Sequence, residues 1–199
     1  MPPIFLGDKL MALSILQQNK RADKVRTDLL KICVSKDETR LYLGGVIHYE
    51  PLKALCATDG HKAVILRSRY SENLKGLIID PKTMQEIVRE YPKLHQVVPD
   101  PVKMEKASFE FKDGHSIKWK RGKPNAAHFH LDKDGKGFIS MENKENALFS
   151  VNSEFLKPLI GQAFHVAYHA DSSALKPVLV SLVPDRFDGD VYLIMPLKV

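Results

Sequence analysis

Few residues of this 199-residue chain have the types and spacing that chemistry needs. Asp132-Lys133-Asp134-Gly135-Lys136-Gly137-Phe138-Ile139 has the opening pattern of a calcium loop, with carboxylates at positions one and three, glycine at six and isoleucine at eight. Position five is Lys136 and position twelve is Asn143, where the ion needs oxygen donors and a bidentate glutamate, and neither flank reads as a helix. A plain turn is the better reading. His165 and His169 stand four apart, a spacing that suits a metal pair on a helix but not on the strand expected there, so both are read as surface or packing residues. His128 and His130 flank Phe129 on another expected strand, with no supporting group. There is no Ser/His/Asp arrangement with supporting context, no glycine-rich phosphate loop and no Cys/His metal spacing. The chain is expected not to be an enzyme and to use no catalytic residue, metal or cofactor.

Binding chemistry is better represented. Thirty Lys and Arg against 24 Asp and Glu give a net charge of +6, a balance that favours polyanions, although a solvated lysine-rich surface gives the same total. Trp119 stands among Lys118, Lys120 and Arg121, where a ring can stack on a base while cations hold phosphates. The other reading is a strand with Trp119 packed inward. Asn19-Lys20-Arg21-Ala22-Asp23-Lys24 reads as an exposed basic loop, open to phosphate contact. Apolar and charged fractions of 44% and 27% are those of a globular chain. No apolar run approaches the ~18 residues of a membrane span, and no basic stretch followed by an apolar core marks a secretory signal. Cys33 and Cys56 suit free buried thiols in a reducing cytosol. A cytoplasmic protein without a membrane partner is expected.

The elements that must position these groups centre on Arg40–Leu66. Apolar residues crowd two arms, Val46, Ile47 and Tyr49, then Leu52, Leu55, Ala57 and Val64–Leu66. Glu50-Pro51 breaks the first arm, so the chain reverses there. Thr58-Asp59-Gly60-His61 predicts a tight turn, because Asp bonds backbone donors two residues on and Gly accepts positive φ. Elsewhere the spacing predicts helices at about residues 8–18, 81–91 and 153–163. The second has Asp80 as cap, Pro81 at its first position and an apolar line of Met84, Ile87, Val88 and Tyr91. Strands are expected at 29–35, 40–43, 76–79, 107–111, 116–120, 148–151, 166–168, 177–183 and 191–199, with Asp113-Gly114 turning one hairpin.

The run YLGGVIHYE…LKALCATDGHKAV resembles the central domain of the bacterial sliding clamp family, the DNA polymerase III beta subunit. Its members carry Ala-Thr-Asp-Gly-His-Arg-Leu-Ala at the end of such a hairpin; here Lys62 replaces the Arg and Ala63 the Leu. The end, Tyr192-Leu193-Ile194-Met195-Pro196-Leu197-Lys198-Val199, resembles the family's terminal Tyr-Val-Val-Met-Pro-Met-Arg-Leu. The unit at 76–91 resembles the second half of a clamp domain. The resemblance implies an α+β fold of βαβββ units, with helices on one face and antiparallel sheets on the other. Three halves fit the order of elements, grouped as a clamp-like domain at 1–131, a linker at 132–146 and a half domain at 147–199. The family has six such halves, which makes this a shortened, divergent relative of the kind a phage or other mobile element carries. Its net basic charge departs from the usual acidic clamp.

What the resemblance implies for function is a processivity factor in DNA replication. Double-stranded DNA, met without sequence preference, would be contacted by Lys9, Lys20, Arg21, Lys24, Lys82, Arg89 and Lys157. A polymerase or other clamp-binding peptide would enter a groove with Thr58, Gly60, His61, Lys62 and Ala63 on one wall and Leu193, Met195, Pro196 and Leu197 on the other. A homo-oligomeric ring is one expectation, four chains of three halves completing the twelve of a clamp ring. The other is a clamp-like interaction module that forms no ring and competes for clamp ligands or serves as a polymerase accessory factor.

Overall fold

A computed structural model describes residues 21–83, 85–110, 126–171, 176–183 and 186–197. The chain divides into two compact units, Met1–Val97 and Val98–Val199. This division is by compactness, whereas the sequence boundaries at 131 and 147 follow the repeat of elements.

In the first unit, helix α1 (Arg21–Cys33) precedes strands β1 (Val46–Tyr49), β2 (Ala54–Thr58), β3 (Lys62–Leu66) and β4 (Ile78–Ile79). The strands are antiparallel in the order β4-β1-β2-β3, with Ile47 opposite Cys56 and Cys56 opposite Ile65. The chain reverses at Glu50–Leu52, as expected from Pro51, and Lys53 takes a left-handed conformation (φ 45°) to enter β2. Leu29, Leu30 and Cys33 of α1 are buried with Cys56, Val64 and Ile65. Burial raises both cysteine thiols well above their usual range, so they are inert packing groups.

The second unit contains β5 (Glu105–Glu110), β6 (Ala126–Leu131), β7 (Gly137–Ser140), β8 (Phe149–Asn152), β9 (Ala163–Tyr168), β10 (Val178–Ser181) and β11 (Val191–Ile194). Their order is β11-β10-β9-β5-β7-β6-β8, antiparallel except where β5 meets β7. A chain of ring contacts runs through its core. Phe164, Phe109, Phe129, Phe149 and Tyr168 follow one another at centroid distances of 6.4, 4.9, 4.5 and 5.6 Å. Each such pair adds about 0.5–1.5 kcal/mol beyond its area burial.

Several expectations are corrected. Residues 21–33 form a helix, not a basic loop followed by a strand: Leu29, Leu30 and Cys33 share a buried face at helical spacing. Residues 38–43 form a kinked 3-10 turn rather than a strand, because Asp37 Oδ1 accepts from the amide and hydroxyl of Thr39 and starts a turn. Among the described residues of 81–91 no helix forms. Asp80 does accept from the amides of Lys82 and Thr83, yet its own amide donates to the Gln85 carbonyl (2.9 Å), and Ile87 N–H donates to Ile78 O (2.9 Å). Sheet pairing with β4 thus replaces the helix. Ile87 turns toward Gly45, while Val88 stays 85% exposed. The helix at 153–163 shortens to a 3-10 segment, Ser153–Leu159, capped by Asn152. Pro158 lies inside it, lacks an amide donor and opposes regular α-helix. The helix expected at 8–18, and the turn at Asp113-Gly114 with the strand carrying Trp119, lie outside the described residues.

Candidate partner-binding site

The hairpin turn between β2 and β3 has the chemistry read from its sequence. Asp59 Oδ1 accepts from the amides of His61 (2.9 Å) and Lys62 (3.0 Å), and Asp59 N–H donates to the Lys62 carbonyl. Thr58 Oγ1 donates to that same carbonyl (2.8 Å) and accepts from Gly60 N–H (3.1 Å). Gly60 takes φ +90°, which a side chain would strain. Lys62 forms a close ion pair with Asp59, and its side chain is only 9% exposed. Thr58, Lys62 and Ala63 are buried, whereas Gly60 and His61 are exposed.

In the second unit, Leu193 is buried in β11, and Met195, Pro196 and Leu197 beyond it are half-buried. Leu197 N–H donates to the Ser150 carbonyl (2.7 Å), which ties the segment after β11 to β8. Beside this bond lies a small, solvent-open cleft of about 40 Å³. Leu148, Phe149, Tyr168, Val178, Pro196 and Leu197 give it apolar walls; Ser150, His169, Asp171 and Lys176 add polar groups. Its lining is about evenly apolar and polar, and its size suits one side chain of a docking peptide rather than a whole ligand.

The sequence pointed to Pro196 and Leu197 but not to Phe149, Ser150, Tyr168 or His169. The signal for these was available only as alternation in β8 and at the end of β9, which does not say which face is open. Three of the four histidines that the sequence offered as candidates have specific partners. His128 Nδ1 and Ser150 Oγ share a hydrogen bond (2.7 Å), His130 Nε2 bonds the Asn143 carbonyl (3.0 Å), and His165 Nδ1 pairs with Ser108 Oγ (3.1 Å). The calcium-like segment is a tight turn in which Asp132 Oδ1 accepts from the amides of Asp134 and Lys136. Among the described residues no group of three or more His, Cys, Asp or Glu is placed to hold a metal ion.

Of the cations expected to meet DNA, Lys9 and Lys20 lie outside the described residues. Arg21 and Lys24 begin α1, Lys82 and Arg89 flank the return after β4, and Lys157 pairs with Glu154 (3.4 Å) on the 3-10 segment. Lys24, Lys82, Arg89 and Lys157 are exposed. No described helix is long and apolar enough to cross a membrane.

No family model matches the sequence, and no curated protein matches it. The architecture is an α+β, clamp-like arrangement of predominantly antiparallel sheets with few helices. It is the fold of the bacterial DNA polymerase sliding clamp. The chain is similar to the sliding clamp of Caulobacter crescentus with a TM-score of 0.60 at 15% identity. It is similar to the DNA polymerase III beta subunit of Thermotoga maritima (0.55, 13%). It is also similar to the Helicobacter pylori beta clamp, solved bound to a DNA ligase peptide (0.57, 13%). Each comparison covers 96% of this chain and 64% of the other, so the chain spans just under two thirds of the length of these clamps.

Proposed function

We propose that this chain is a sliding-clamp-like DNA replication protein, which holds double-stranded DNA without reading its sequence and recruits a polymerase or another partner through a short apolar peptide. The observation that carries this reading is the cleft beside Pro196 and Leu197, on a chain with the clamp fold. Its apolar walls supply burial, and Pro196 stiffens the segment so that less entropy is lost on docking. The resemblance assigns Thr58, Gly60, His61, Lys62 and Ala63, together with Leu193 and Met195, to the same recognition. The Helicobacter pylori clamp, solved with a ligase peptide, supports a peptide as the occupant. DNA contact falls to Arg21, Lys24, Lys82, Arg89 and Lys157, with Lys9 and Lys20. The setting is the cytoplasm.

The test is a titration of a fluorescent clamp-binding peptide against the full chain and a chain lacking Met195–Val199. The full chain is expected to bind with a Kd of about 1 μM, or about −8 kcal/mol, and the shortened chain not to bind. Equal affinity overturns the assignment. A second reading, a module that forms no ring, is favoured by the sheet pairing that takes the place of the helix expected at 81–91. Molar mass in solution separates the two, since only an oligomer closes a ring.

A further inference from the structure

β8 stands at one end of the strand order of the second unit and pairs with β6 on its inner side. The stretch Asn146–Asn152 that contains it has no charge, no proline and no glycine. Apolar stretches of this kind pair with a like stretch of another chain wherever their outer side is open. Charged side chains and prolines are common safeguards against such pairing, and β8 carries neither. A charged stretch repels its own copy, whereas this one does not.

Its outer side is covered by the chain itself. The segment after β11 leaves the opposite end of the strand order and returns to β8, where Leu197 N–H donates to the Ser150 carbonyl (2.7 Å). Pro196 and Leu197 share the walls of the cleft with Leu148, Phe149 and Tyr168, so they also close over the last two rings of the aromatic series. The cover is a poorer pairing partner than the strand beneath it. Pro196 has no N–H, so a further strand gains no bond from it.

We propose that Met195–Leu197 is a strap that keeps β8 from pairing with β8 of a second copy of this chain. With the strap seated, the Ser150 carbonyl is satisfied within the chain. With it lifted, two copies join β8 to β8 about a two-fold axis, each offering the other the same residues. The strap goes beyond the function proposed above and does not rest on it.

Light scattering and amide hydrogen exchange on the full chain and on its Leu197→Pro variant test it. The substitution removes the donor to Ser150 and keeps an apolar side chain. Over about a hundredfold range of concentration, the molar mass of the variant is expected to rise to about twice that of the unaltered chain and to return on dilution, with β8 amides exchanging about tenfold slower in the concentrated sample. A variant with the mass of the unaltered chain throughout, or a doubled mass with unchanged β8 exchange, overturns the strap. Should Leu197→Pro fail to fold, the unaltered chain decides in urea below its unfolding transition. There the Leu197 amide must lose protection before the amides of β6 and β10, and the mass must rise over the same range of urea. A Leu197 amide that opens only together with β6 and β10, or one that opens with no gain in mass, overturns the strap as well.

Discussion

A Cβ built on Gly137 would lie 2.5 Å from the ring of Phe109 and 2.4 Å from the Ser108 carbonyl oxygen. The parallel contact of β5 with β7 depends on the missing side chain, since neither the backbone oxygen nor a ring stacked among other rings has room to withdraw. Gly137→Ala is therefore expected to lower stability by about 1–3 kcal/mol, read from the midpoint of urea unfolding at unchanged slope. A loss below about 0.5 kcal/mol would mean that the two strands part easily.

His48 is buried on β1 and accepts from the amide of Ser71 (3.2 Å). Burial lowers its pKa to about 4, against about 6.5 in an unfolded chain. The folded state thus binds fewer protons than the unfolded state between these values. Stability is fully present above pH 6.5 and falls as the pH drops toward 4, by up to about 1.4 kcal/mol per unit from this residue. Asp37, Glu72 and Asp80 are held below the usual carboxylate range, so their losses come at lower pH. Urea unfolding at pH 7.5, 6 and 5 should give a smaller slope for His48→Gln than for the unaltered chain. Parallel slopes would refute the assignment.

Asp59 serves two amides and a mostly buried lysine. Asp59→Ala leaves Lys62 without this partner and opens the turn, with an expected cost of about 3–5 kcal/mol. Asp59→Asn keeps an acceptor for the amides and should cost less. Thermal unfolding of the two variants checks the order, and an Ala variant as stable as the Asn variant would deny the acceptor for the two amides any importance.

DNA binding is expected to be independent of sequence and to weaken with salt, with a log–log slope of about −0.9 per phosphate contact. Changing Lys24, Lys82 or Arg89 singly to Gln should reduce that slope by about one contact each. Fluorescence anisotropy with two unrelated duplexes at several salt concentrations measures both features. Binding that ignores salt, or prefers one duplex strongly, contradicts the proposal.

The strands around Pro51 and Gly60 were legible because each reversal depends on residues adjacent in sequence, and Asp59 bonds the donors its side chain can reach. The turn at Asp132 was legible for the same reason. The helix at 21–33 was not, since Leu-Leu-Lys-Ile-Cys-Val fits a strand as well as a helix until tertiary burial of Leu29, Leu30 and Cys33 decides. At 81–91 the error ran the other way. The cap, the proline and the apolar line all fitted a helix, and what overrode them was the bonding offered by Ile78 and Asp80, which only the sheet makes available. The cleft was half legible. Pro196 and Leu197 were found through the likeness of the chain's end to clamp sequences, but Tyr168 and Ser150 come together from distant strands, and periodicity carries no such long-range information.

The return of the chain beyond β4 also governs what this rim of the first unit offers to other molecules. Ile78 and Ile79 pair with β1 on one side and with the stretch around Glu86 on the other. An apolar pair at the end of a sheet is a template for adding a foreign strand, and here the template is already occupied. A strand arriving at this rim meets exposed Gln85 and Glu86 instead of two isoleucines. A chain crowded with copies of itself is thereby guarded against indiscriminate stacking through β4.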